Sequence, residues 1–177
     1  DAGDLAVEPY ALHSSLSTAD QKAVFGRPAQ GLRKVVVATN IAETSITIDD
    51  VIYVIDAGRV KENRYDHEKN MASLVETWVS LASAKQRRGR AGRVQPGVCY
   101  HLFSSITRDR LSEYTVPEMH RVPLHEMVLQ IKVLDLLGGD AETFLGQAVT
   151  PPGEQAVRTA LDTLRRLQAI DATTEDR

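Results

Sequence analysis

The stretch Ser83-Ala84-Lys85-Gln86-Arg87-Arg88-Gly89-Arg90-Ala91-Gly92-Arg93 gathers the side chains best suited to chemistry in this sequence. Continued as a helix from Ser83, it sets residues 86, 90 and 93 at i, i+4 and i+7, within roughly a 60° arc. One face then carries Gln86, Arg90 and Arg93, while Gly89 and Gly92 remove bulk beside it and let the helix lie close to a ligand or another backbone. Such a face suits a polyphosphate. Arginine offers planar donors to phosphate oxygens and stays charged at any working pH, and a neighbouring glutamine can orient an attacking water. Taken alone, five basic residues in the nine positions from Lys85 to Arg93 also fit a solvated basic stretch, a localisation signal or a nonspecific nucleic-acid patch. A second polar cluster, Thr39-Asn40-Ile41-Ala42-Glu43-Thr44-Ser45-Ile46-Thr47-Ile48-Asp49, follows an apolar run. Ligands of open α/β sheets bind beyond the carboxyl ends of the strands, so these hydroxyls, amide and carboxylates are placed to face one; the same residue types also cap helices.

Both clusters need a scaffold, and the pattern supplies one. Ser17-Thr18-Ala19-Asp20 reads as a helix entry, with the helix running to about Phe25 before Pro28 and Gly31 break it. Lys34 to Thr39 is a β-branched run without alternation, which predicts a strand buried on both faces and hence a parallel sheet. Val51 to Ile55 is the next apolar run, and the short crossover between them has room for a helical turn over residues 40–50. Val60 to Tyr65 and Met71 to Val75 flank a polar, turn-rich stretch and predict a projecting hairpin. A helix from Ser83 to about Gly92 and a strand over Val98 to Phe103 follow. Beyond Ser104 the character changes to helical. Leu124, Val128, Ile131 and Leu134 recur at helical spacing up to Gly138-Gly139, and Val157, Ala160, Leu161, Leu164 and Leu167 do so again after Pro151-Pro152-Gly153. The organisation expected is an α/β domain over residues 1–107, a linker over 108–120 and a helical region over 121–177.

Composition narrows the function classes. The 177 residues are 42% hydrophobic and 25% charged, ordinary globular values. A formal net charge of −3 rules out a uniformly basic surface, so any nucleic-acid contact comes from a local patch. Cys99 is the only cysteine, so neither an internal disulfide nor a multi-cysteine zinc site can form; it reads as a small buried apolar residue in a reducing compartment. The longest apolar runs are far shorter than the ~20 residues a membrane-spanning helix needs. His67-Glu68 and His125-Glu126 lack the second histidine of a zincin.

Four ordered segments, Leu12-His13-Ser14, the Thr39 to Asp49 block, Tyr53-Val54-Ile55-Asp56-Ala57-Gly58 and Gln86 to Arg93, make the chain closely resemble the second RecA-like domain of the DEAH/RHA-type helicases of superfamily 2. The similarity continues through Val116-Pro117-Glu118-Met119 and Arg121-Val122-Pro123-Leu124 toward the family's degenerate winged-helix domain. The resemblance implies a RecA-like parallel sheet flanked by helices, with a projecting hairpin and a truncated winged-helix domain after it. It also implies an ATP-dependent RNA helicase. Gln86, Arg90 and Arg93 match the motif that reaches the terminal phosphate and attacking water, and Ser45, Thr47 and Asp49 match positions that sense the nucleotide. Phe25 matches the ring that stacks on the nucleotide base, a core aromatic being the other reading. Ser14, Thr39 and Asn40 match contacts to the backbone of single-stranded RNA, and Arg59, Lys61, Arg64 and Lys69 on the hairpin are further candidates for phosphates or mere solvation.

No glycine is followed by lysine and no Asp-Glu pair occurs, so a phosphate loop and a magnesium-binding acidic box are lacking. ATP and Mg²⁺ are therefore expected to sit mainly on an upstream RecA-like domain of the same chain, of which this start at Asp1 reads as an excised continuation. Single-stranded or duplex RNA is the expected partner, with no membrane and with an activator protein unspecified; the setting is intracellular, cytoplasmic or nuclear. Two other readings stay open at this level: a scaffold with a decayed helicase core, and a DNA-directed relative.

Overall fold

The computed structural model describes residues 6–44, 46–66 and 71–171. Its elements run β1 (Val7–Leu12), α1 (Thr18–Ala23), β2 (Arg33–Ala38), α2 (Ile41–Thr44), β3 (Tyr53–Asp56), β4 (Arg59–Asp66), β5 (Met71–Trp78), α3 (Leu81–Arg88), β6 (Val98–His101), α4 (Ser105–Arg108), α5 (His125–Val133), α6 (Ala141–Gly146) and α7 (Glu154–Arg166). Two compact units result: residues up to Lys61 with Glu76–Thr115, and Glu62–Val75 with the residues from Val116 onward.

In the first unit β1 pairs in parallel with β2, Leu12 opposite Ala38, and β3 pairs in parallel with β6, Asp56 opposite His101. The first crossover is α1, entered where the Ser17 hydroxyl accepts from the Asp20 N–H, as the Ser-Thr-Ala-Asp entry predicts. The second carries the predicted helical turn as α2. The expectation that β2 is covered on both faces fails. Val35 and Val37 point to one face and Val37 is 68% exposed. Continuous β-branched residues give a doubly buried strand only where elements lie on both sides, and no described element covers this one. The other side holds Lys34, whose ammonium donates to both Asp50 oxygens at 3.0 Å and to the Gly26 carbonyl at 2.8 Å. That anchors β2 to the chain entering β3.

Strands β4 and β5 pair as the predicted hairpin and are longer than their sequence suggests, reaching eight residues each. Within the second unit, the Tyr65 N–H donates to the Arg121 carbonyl at 2.9 Å, and the Arg121 guanidinium returns to the Asn63 carbonyl at 3.1 Å. The core of that unit is Leu124, Val128 and Ile131 of α5 and its entry, Ala141 and Leu145 of α6, and Val157, Ala160, Leu161 and Leu164 of α7. A buried Leu or Ile side chain in such a cluster contributes about 1.5–3 kcal/mol. The helical period overshoots at both ends. Helix α5 stops at Val133 rather than at the glycine pair, because Asp135 and Leu137 turn into the left-handed region with φ of 52° and 50°. Leu134 and Leu137 leave the core, and Leu167, past the end of α7, is exposed too.

Candidate functional site

The predicted site lies in the first unit, where α3 faces α2 and the end of β3. Helix α3 begins two residues earlier than the sequence suggests: Ser80 caps it, its hydroxyl accepting from the Ser83 N–H. It also ends earlier, at Arg88. The Arg90 and Ala91 N–H groups bond to the carbonyls of Arg87 and Arg88, three residues back, so the chain tightens into turns at Gly89. Gln86, Arg90 and Arg93 are thus not a stripe on one continuous helix: Gln86 is exposed on α3, and the two arginines stand on the turns beyond it. The glycine that permits this path is not Gly92, around which an added Cβ would meet open space, but Gly97, where one would collide with the carbonyls of Ala91 and Ile52.

A charge network centred on the buried Asp56 ties α3 to α2 and β3. Asp56, at the carboxyl end of β3 and 3% exposed, accepts from the Gly58 N–H at 2.9 Å and from Arg87 Nη1 at 3.0 Å, with His101 Nδ1 at 3.2 Å. Arg87 Nε donates to Glu43 Oε2 of α2 at 3.0 Å, and its Nη1 also reaches the Arg59 carbonyl at 3.1 Å. Gly58 has φ of +69°, and an added Cβ would strike the Phe103 ring, so the turn after Asp56 requires glycine. Sequence reasoning missed Glu43, Asp56, Arg87 and His101. A carboxylate two residues before a glycine is a turn signal, but nothing local separates Arg87 from the three arginines that follow it.

Arg90 and Arg93 behave differently. Arg90 donates to the carbonyls of Ile46 at 3.2 Å and Thr44 at 3.5 Å, and its Nε is buried with no hydrogen-bond partner among the described residues. Burial, and then the charge of Arg93, lower its pKa from the ordinary arginine value, against the opposing pull of Glu43. Arg93 is exposed and donates from Nη1 to Thr47 Oγ1 at 2.8 Å. Neither makes an ion pair among the described residues. Two guanidinium groups close enough to perturb one another, neither of them ion-paired among the described residues, suit a ligand rich in anionic oxygens.

The other candidates fall into place singly. Thr39 and Asn40, exposed at the end of β2, share an edge with Ser14 because Leu12 and Ala38 are opposite in register and the Thr39 N–H donates to the Leu12 carbonyl at 3.1 Å. Asp49 is exposed. Phe25 lies in the turn after α1 rather than within the helix, and the residue is 52% exposed, which removes the core-aromatic reading; the neighbouring Val24 is the buried residue. Arg59 lies over the Trp78 ring, 3.5 Å from its centroid, and Arg64 sits 3.9 Å from Glu62 in the second unit. Ser45 and Lys69 lie outside the described residues. Cys99 is only partly buried, its sulfur 3.8 Å from His101 Nε2. Burial raises its thiol pKa.

The helicase conserved C-terminal domain family matches residues 4–95. The chain belongs to that family. Its relatives include the chloroplastic DExH-box ATP-dependent RNA helicase DExH4 of Arabidopsis thaliana, 52% identical over 165 residues, which are 93% of this chain and 12% of the relative. The ATP-dependent DNA/RNA helicase DHX36 of Homo sapiens is 50% identical over 164 residues, 93% of this chain and 16% of its own. Among solved structures, the DExH-box NTPase HrpB of E. coli superposes with a TM-score of 0.77 at 31% identity, covering 94% of this chain and 20% of that one. This helicase C-terminal domain therefore spans less than a fifth of the length of the relatives it matches. The DExH-type family and the RecA-like α/β fold read from its motifs are borne out.

Proposed function

We propose that this chain is the C-terminal RecA-like half of a DEAH/RHA-type ATP-dependent RNA helicase, with residues 1–107 forming that domain and 121–177 the start of a degenerate winged-helix domain. What carries the reading is the pair Arg90 and Arg93 docked on the Thr44–Thr47 segment with donor capacity to spare. The exposed, hydroxyl-bound Arg93, with the Arg90 guanidinium beside it, fits a triphosphate tail. ATP bound with Mg²⁺, held mainly by the upstream lobe, supplies the scissile phosphoanhydride. Arg90 and Arg93 bring positive charge to its terminal phosphate as arginine fingers, Gln86 orients water, and Thr47, Asp49 and Ser45 border the nucleotide. Phe25 offers an open ring for the base. Ser14, Thr39 and Asn40 grip RNA phosphates at one sheet edge, so movement of this lobe relative to its partner lobe shifts the grip along the strand.

Arginine fingers contribute ~10³–10⁵ in rate in nucleotide hydrolases. In the full-length protein, Arg90→Ala is expected to abolish RNA-stimulated ATP hydrolysis while leaving nucleotide binding nearly unchanged; retained turnover overturns the finger role. Thr39→Ala is expected to weaken RNA stimulation more than basal hydrolysis. A DNA-directed relative is the second reading, prompted by the DNA/RNA helicase name of DHX36, and comparing RNA with DNA as activator of hydrolysis separates the two.

A further inference from the structure

The base of the hairpin holds a feature that the phosphate-contact reading of Arg59 does not explain. The Arg59 guanidinium lies over the Trp78 ring, its Cζ 3.5 Å from the centroid, in van der Waals contact with the ring face. The Trp78 ring is backed edge-on by Phe103, with centroids 6.1 Å apart, and Phe103 packs on His101 at 4.9 Å. Gly58 lets the chain pass against Phe103 and Trp78, where any Cβ would intrude. Glu76 Oε1 lies 3.9 Å from Arg59 Nε, a loose, solvent-exposed ion pair at one side of the guanidinium. Despite these contacts the Arg59 side chain stays 44% exposed. The guanidinium thus rests on the tryptophan face, with a carboxylate at one side and close to half of the side chain still open to solvent.

A side chain recruited only for phosphate has no need of an aromatic bed; an edge turned to solvent serves that purpose. A fixed, flat cationic surface backed by three rings is a surface on which a planar π-system stacks. Resting on the nucleic-acid reading above, we propose that Arg59 on Trp78 is a stacking platform for an unpaired nucleobase of a bound strand. The backbone is then held at the Ser14–Thr39–Asn40 edge, and the platform recognises a base by its face, without sequence preference.

Trp78 is the only tryptophan in the chain, so its fluorescence reports on the platform directly. The 177-residue chain is titrated with a uridine oligonucleotide, with an abasic strand of the same length and with free ATP, while anisotropy of labelled strands measures affinity. The base-bearing strand is expected to change Trp78 emission and to bind several-fold or more tighter than the abasic strand, stacking being worth about fivefold to a hundredfold in affinity; free ATP is expected to leave the emission unchanged. Arg59→Lys, which keeps the charge and loses the plane, is expected to abolish that preference as fully as Arg59→Ala does. Equal binding of both strands, a silent Trp78, or full rescue by lysine overturns the platform and leaves the nucleic-acid reading standing. An emission change with ATP alone overturns it in favour of a mononucleotide site. Failure of both strands to bind at low salt overturns both readings.

Discussion

Replacing Arg87 with methionine is the sharpest test of how this site is held. The substitution keeps most of the side-chain volume but strands two carboxylates: Glu43, bonded through Nε at 3.0 Å, and Asp56, bonded through Nη1 at 3.0 Å with 1% of its side chain exposed. Breaking a buried pair by removing one partner costs about 3–5 kcal/mol, because the remaining charge has lost both water and its counter-ion. Asp56 keeps the Gly58 N–H and His101, which moves the expectation to the low end, about 3 kcal/mol. For a unit of about a hundred residues that lowers Tm by on the order of 10–20 °C. Urea unfolding followed by Trp78 emission reads the unit that contains the network. The companion variant Asp56→Asn removes the charge that Arg87 compensates. The two together are therefore expected to cost about 1–2 kcal/mol less than the sum of the singles. A loss below about 1 kcal/mol for Arg87→Met, or strict additivity in the cycle, refutes the account of a buried charge network fixing α3.

Two further outcomes follow from local geometry. Gly97→Ala drives a methyl into the Ala91 and Ile52 carbonyls and is expected to cost about 3 kcal/mol or more, whereas Gly92→Ala, with open space around it, is expected to stay within about 0.5 kcal/mol; equal losses in paired melts contradict the placement of this loop. Asp140 caps α6 through the Thr143 hydroxyl and N–H, and the Thr143 hydroxyl, first among the causes, holds its carboxyl below the ordinary carboxylate value. Because the folded value is the lower one, the cap is fully effective above the unfolded pKa of about 4 and is lost as the pH falls through the folded value. Asp140→Ala is expected to cost about 1 kcal/mol at neutral pH and to flatten the acid limb of helix unfolding seen by circular dichroism; unchanged acid limbs count against it.

What the sequence reveals here depends on how local the deciding force is. Caps and crossovers are local, which is why the helix entry at Ser17 and the turn of α2 are legible in advance. The strand β1 is not, because Pro9 and Glu8 interrupt its pattern and it is fixed by pairing with β2, whose sequence lies some twenty residues on. Helix α3 is overextended in the sequence reading because the period of Gln86, Arg90 and Arg93 continues past Gly89, where the backbone bonds already shorten to three-residue turns. The same limit applies to the site. Arginine spacing singles out Arg90 and Arg93 as a phosphate-facing pair, but their rest on Ile46 and Thr47 is not legible in it, and the partners of Arg87 come from α2 and β3, forty-four and thirty-one residues away.

Arg93 rests on a hydroxyl rather than on a carboxylate, and that choice sets how readily it is released. Parting from a neutral acceptor forfeits about 1 kcal/mol net, while meeting an ionised oxygen returns roughly twice as much. On the proposed finger role the side chain is parked, not locked: it rests on Thr47 until a polyanion offers the stronger, charge-assisted bond. Had a glutamate stood at that position, the same step would run against a charge pair, and the arm would answer its ligand only weakly.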